Sequence, residues 1–144
     1  MSANEVRVIV DLSVAPPGGA GTYAAGFLRG LVEGTIPDRA GLVVLVERSW
    51  AQDHAEALEA VVARGSRVIP LDLPTPGTWK ARLGRGRVIA RAVEAHAADV
   101  VYCPRDVVPR FRVPYALLAH NLHAWTRFET SAPTRGALSA LSLR

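Results

Sequence analysis

Val6-Arg7-Val8-Ile9-Val10-Asp11, followed after a short interval by Pro16-Pro17-Gly18-Gly19-Ala20-Gly21-Thr22-Tyr23, is the stretch that decides the fold. Val6 to Val10 is short, rich in β-branched residues and almost wholly apolar, the pattern of a strand buried on both faces of a parallel sheet. Asp11 stands where such a strand would surface. Leu12 to Ala20 carries two prolines and two glycines and reads as an irregular loop. From Thr22 the spacing changes. Tyr23, Phe27, Leu28, Leu31 and Val32 recur on one helical face, with Arg29 and Glu33 on the other, which predicts an amphipathic helix stopping at Gly34. A glycine-bearing loop that opens a helix suits an anionic ligand. Glycine backbone can approach a ligand closely, and the N–H groups of a first helical turn favour negative charge.

The same alternation continues along the chain. Leu42-Val43-Val44-Leu45-Val46 predicts a second buried strand closed by Glu47, and Asp53 to Ala63 predicts a helix with Ala55, Leu58, Val61 and Val62 inward. Arg67-Val68-Ile69-Pro70-Leu71 predicts a third strand, which Pro70 assigns to a sheet edge or a strand end. A helix is expected from Trp79 to Ala97, with Gly84 and Gly86 as candidate breaks near its start. Asp99-Val100-Val101-Tyr102-Cys103 predicts a fourth strand cut off by Pro104, and Pro114 to Ala119 a fifth. Residues 134–143 read as the start of another helix. Strands apolar on both faces, alternating with helices, predict a doubly wound α/β domain: a Rossmann-like parallel sheet with helices on both faces. Ligands of such sheets sit at the carboxyl ends of the strands. The loops expected there are Asp11 to Gly21, Pro104 to Arg112 and His120 to Glu129.

Composition narrows the setting. A chain of 144 residues is the size of one domain with a proper core. No apolar run approaches the ~20 residues of a membrane span. Met1 to Val6 lacks the basic start and apolar stretch of a signal peptide, so the cytoplasm is the expected compartment. One cysteine, Cys103, excludes an internal disulfide and a cysteine metal cluster; at a strand end it reads as a small core residue. Lys80 is the only lysine among 17 basic residues. That arginine bias reads as the mark of a GC-rich coding sequence, and the net charge of +4 bears on solubility and weak association.

Four features carry candidate chemistry. Gly19-Ala20-Gly21-Thr22-Tyr23-Ala24 fits G-x-G-x-x-A, and Glu47 ends the second strand where a ribose-binding acid belongs. The spacing argues against a dinucleotide site: eight residues separate Val10 from Gly19, whereas in that motif the first glycine turns the chain directly after the strand. A P-loop is excluded, since no Gly-Lys-Ser/Thr follows. What remains is a long glycine-rich loop over a phosphate, or a plain connection. His120 and His123 have no carboxylate or cysteine at metal-ligand spacing nearby, so no metal is expected there. His120 reads as a hydrogen-bonding group in a cleft, or as a histidine satisfied within its own loop. Lys80, Arg82, Arg85, Arg87 and Arg91 lie within twelve residues without an acid, beside Trp79 and Leu83. They read as a solvated basic face or as a contact for anionic lipid headgroups. Interleaved aromatics for base stacking are missing, so nucleic acid is not an expected partner. Asp11 reads equally as a site residue or as a loop-capping carboxylate.

Two of these stretches, in order and in register, resemble family 4 glycosyltransferases. Asp11 followed by Gly18-Gly19-Ala20-Gly21-Thr22-Tyr23, with Leu28 and Leu31 behind, is similar to the GG-x-G-x-Y…L…L start of those enzymes. Asp99 to Pro104, then Val113-Pro114-Tyr115, then His120-Asn121-Leu122-His123-Ala124-Trp125 resemble their D-V-V-H-x-P … V-P-x-V-x-x-x-H-D-L run.

The resemblance implies a GT-B fold, in which two Rossmann-like domains face each other across a cleft. It implies retaining transfer from a nucleotide-sugar donor to a sugar or lipid-linked acceptor, with no cofactor and no obligatory metal. Residues 1–144 would be the N-terminal, acceptor-side domain, truncated before the donor-binding domain, and nearly inactive alone. Gly18, Gly19, Gly21 and Thr22 would lie by the donor diphosphate and the acceptor. His120 would be the catalytic histidine beside the transferred sugar, and Asp11, Tyr23, Asn121 and His123 would shape the loop or touch the acceptor. Asn121 stands where the family commonly has Asp; an amide still donates and accepts hydrogen bonds. The alternative reading is a non-catalytic α/β module that binds a phosphorylated or nucleotide ligand. A nicotinamide-dependent oxidoreductase domain is a third, disfavoured by the loop length. The expected location is the cytoplasm, with a peripheral contact of the basic helix to the anionic inner face of the plasma membrane.

Overall fold

The computed structural model describes residues 6–13, 19–34, 40–75, 77–104 and 111–117. β1 (Val6–Leu12), β2 (Ala40–Glu47), β3 (Arg67–Leu71), β4 (Val100–Cys103) and β5 (Tyr115–Leu117) form one sheet in the order β3-β2-β1-β4-β5. Every pairing is parallel. Parallel neighbours need crossover connections. Here α1 (Gly19–Glu33), the pair α2 (Arg48–Asp53) and α3 (Ala55–Ala63), and α4 (Trp79–Ala95) lie in those connections. This is the α/β, Rossmann-like fold that the apolar strands predict.

Successive strand residues point to opposite faces of the sheet and so enter two separate cores. Val10, Leu12, Val44 and Val46 pack with Ala24, Leu28, Leu58 and Val61 from α1 and α3. Ile9, Val43, Leu45, Val101 and Cys103 pack with Ile89 and Val93 of α4. Both faces of β1 and β2 are covered, which is why their sequences run apolar without alternation.

Several boundaries differ from the sequence expectation. β1 continues through Asp11 to Leu12, because the apolar run of β2 offers pairing partners that far: Asp11 lies opposite Leu45 and Leu12 opposite Val46. Asp11 is therefore 1% exposed and does not surface. α1 starts at Gly19, not Thr22, so Gly19 and Gly21 belong to its first turn. The helix expected from Asp53 to Ala63 is α3, beginning at Ala55, and a short helix that the spacing did not predict, α2, precedes it. α2 leaves β2 without a loop and buries Trp50. His54 then breaks the run, its ring stacked on Trp50 with centroids 4.0 Å apart. α4 runs straight through Gly84 and Gly86. A Cβ at Gly84 would meet Pro74 Cγ at 3.2 Å, so glycine there serves close approach of the preceding loop and does not break the helix. The Thr78 hydroxyl accepts from the Ala81 N–H at 3.1 Å and caps its start. β3 is an edge strand, as Pro70 requires. The helix expected over residues 134–143 lies outside the described residues.

Neither α1 nor α4 carries a basic residue in its last turn. Their terminal carbonyls are met by arginines from elsewhere in the chain. Arg64, just after α3, donates to the carbonyls of Val32 and Gly34. Arg7 of β1 donates to those of His96 at 3.1 Å and Ala97 at 3.4 Å. Each guanidinium satisfies carbonyls that a helix end leaves without partners and places positive charge at the negative pole. Part of the arginine bias therefore has a structural use. Among the described residues, no helix is long and apolar enough to cross a membrane.

Candidate functional site

β1 passes the chain to β2 on one side, and β4 passes it to β5 on the other. The carboxyl ends of β1 and β4 thus flank the point where successive connections diverge, which is where sheets of this kind hold ligands. Two groups of polar side chains gather there, one on each face of the sheet.

On the α1 face, the Tyr23 and Tyr102 hydroxyls meet at 2.6 Å. Phe27 supports both rings, stacked on Tyr102 with centroids 5.6 Å apart and tilted to Tyr23 at 6.1 Å. The contact fastens the first turn of α1, with Gly19 and Gly21, over the end of β4. Burial, aided by the Tyr102 hydroxyl, pushes the Tyr23 phenol up to about 12. At neutral pH Tyr23 is therefore a protonated hydrogen-bonding group and no base. A phenol whose folded pKa is raised contributes stability below the ordinary value of about 10, and loses it as pH rises towards 12. Absorbance titration of Tyr102→Phe should bring the Tyr23 midpoint part of the way back towards 10, since burial, the larger cause, remains. An unchanged midpoint would show that the hydroxyl contact contributes nothing.

On the α4 face, Asp11 Oδ1 accepts the Ser13 backbone N–H at 3.1 Å and also the Ser13 hydroxyl. Both residues are fully buried. Arg85 of α4 reaches the same place. Its guanidinium donates to Glu47 Oε2 at 2.8 Å, to the Ser13 carbonyl at 3.2 Å and to the Pro74 carbonyl at 2.9 Å. One side chain thus joins the loop after β1, the end of β2 and the segment leading to α4. Farther out, Arg48 and Asp72 form an exposed bidentate pair at 2.5 and 2.9 Å, and each holds the other in its charged form.

The sequence-derived candidates therefore divide. Gly19, Gly21, Thr22 and Tyr23 lie together at the start of α1, beside β4. Asp11 sits at the same sheet edge but on the other face, engaged with Ser13. Gly18, His120, Asn121 and His123 lie outside the described residues. Glu47, placed by sequence at a ribose-binding position, is taken up by Arg85. Sequence reading put Arg85 on a basic outer face. Its spacing from Ile89 and Val93, four residues each time, already assigned it to the inward face. Tyr102 also carried a signal, as a hydroxyl-bearing residue in an otherwise apolar strand.

A cavity of about 160 Å³ lies at the opposite edge of the sheet, between Val93, Glu94, Phe111 and Val113. It falls short of the roughly 300 Å³ at which ligand pockets begin. Among the described residues no group of three or more His, Cys, Asp or Glu could hold a metal ion. Comparison with protein-family models, with curated proteins and with solved structures finds no match in any of the three.

Proposed function

We propose that this chain supplies the acceptor-side domain of a retaining glycosyltransferase of the family 4 kind, working in the cytoplasm on a nucleotide-sugar donor. The observation that supports the reading is the start of α1 at Gly19, fastened over β4 by Tyr23 at the divergence point of the sheet. A diphosphate leaving group gathers negative charge as the sugar departs. Backbone N–H groups aimed at it lower the barrier without reorganising at the moment of reaction. Gly19 and Gly21 give the first turn a backbone that a diphosphate can approach closely, and Thr22 adds a hydroxyl beside it. Tyr23, being protonated, would donate or accept a hydrogen bond towards an acceptor hydroxyl. His120 would orient the transferred sugar. A separate donor-binding domain would complete the cleft.

The test is transfer itself. The coding region for residues 1–144, with any in-frame continuation, is expressed and supplied with nucleotide sugars and with sugar or lipid-linked acceptors. Acceptor-dependent release of nucleoside diphosphate is expected. It should fall about 10²-fold in His120→Ala, the usual cost of a misplaced reactant. Saturable nucleotide binding without release from any donor would replace this reading with a binding module.

A further inference from the structure

The run Lys80 to Arg91 divides on the helix. Arg85 turns inward with Ile89 and Val93, whereas Trp79, Lys80, Leu83, Arg87 and Arg91 fall within about a third of the circumference on the opposite side. All of these are exposed. Trp79 is 67% and Leu83 53% accessible, one turn apart, among the most exposed large apolar side chains of the described residues. No acid occurs from Trp79 to Val93. An apolar pair flanked by unpaired-sign cations has two needs at once: a place for an indole and an isobutyl group to leave water, and negative charge spread around that place. A groove on an acidic protein, unless shaped to this one apolar pair, would meet only the second need. A nucleic acid would also meet it, but a single indole offers no row of stacking platforms. A lipid interface with anionic headgroups meets both, with the indole at headgroup level and the long cationic stems reaching phosphate.

We propose that the amino-terminal half of α4 is a docking surface for an anionic lipid bilayer. α4 begins at the sheet edge where β1 and β4 end, so docking would bring the candidate site close to the membrane plane. The inference does not depend on the transferase reading, because it concerns the opposite side of α4 from the site and is tested without turnover.

The experiment is flotation of the full chain with vesicles of phosphatidylcholine, alone or mixed with phosphatidylglycerol, while tryptophan emission is followed. Binding should require phosphatidylglycerol and weaken as salt is raised. Lys80→Glu with Arg87→Glu should weaken it at least about 30-fold, at about five-fold for each cation removed. Trp79→Phe should retain binding but lose the blue shift. Thermal melting of each variant checks that folding is intact, as expected for exposed positions. Undiminished flotation of the double variant would overturn the proposal. So would equal binding to pure phosphatidylcholine, a blue shift that survives Trp79→Phe, or binding to RNA but to no vesicle.

Discussion

Arg85→Ala should lower the stability of the chain by about 3 kcal/mol, measured as a shift in the denaturant midpoint at constant slope. The side chains of Arg85 and Glu47 keep only 14% and 21% of their surface exposed, so neither is well solvated when its partner is removed. The substitution strands the Glu47 carboxylate and withdraws the guanidinium from the Ser13 and Pro74 carbonyls. Most of the loss should come from the stranded charge and little from the pair itself. Removing both charges with Arg85→Met and Glu47→Leu should therefore return stability to within about 1 kcal/mol of the parent. If the double variant were as unstable as Arg85→Ala, the carbonyl contacts and not the charge would be the source.

Asp11→Ala should cost about 3 kcal/mol as well, by a different route. The carboxylate accepts from both donors of Ser13, and Ser13 is shut off from water. Hydrogen bonds to a charged group contribute about 1.5–3 kcal/mol, and a buried donor left without an acceptor adds its own desolvation cost. Asp11→Asn retains an oxygen at the same place and should lose about 1 kcal/mol. Ser13→Ala removes only the hydroxyl contact and should fall near the asparagine variant. Denaturant melts give the order, and hydrogen exchange at the Ser13 amide identifies the bond responsible. An amide that exchanges no faster in Asp11→Ala would mean that its protection comes from elsewhere.

The sequence revealed most where burial on two faces leaves no choice of residue. Leu42 to Val46 and the end of Val6 to Val10 could be read as strands because a polar residue at Leu42 to Val46, Ile9 or Val10 would face a core. Pro70 pointed to a sheet edge or a strand end for an equally direct reason, and β3 lies at the edge. The misreadings share another cause, tertiary compensation. Asp11 resembles a surface residue unless Ser13 is known to fold back on it. Gly84 resembles a helix breaker unless Pro74 is known to press against that turn. Arg85 resembles one more cation in a run until the end of β2 delivers Glu47 to it. In the candidate site, the strand–glycine–helix order was legible from residue types and spacing. The Tyr23–Tyr102 contact was not, because it joins residues 79 positions apart through a sheet order that local patterns do not specify.

The arginines at the helix ends bear on how the chain acquires its structure. The contact that finishes α4 spans 89 positions of sequence, and the one that finishes α1 spans 32. A helix capped by its own next residues can be completed early, from local contacts. Here the backbone turns close locally, through the His96 and Gly34 N–H groups, but the arginine contacts follow only after loop closure. The guanidinium cap of α4 thus waits for β1 to take its place beside β4, and that of α1 waits for α3. The dependence also runs in reverse when the native protein breathes. β1 is at once the central strand and the clasp of a helix across the sheet, so fraying that begins at Arg7 releases the carboxyl end of α4 with it.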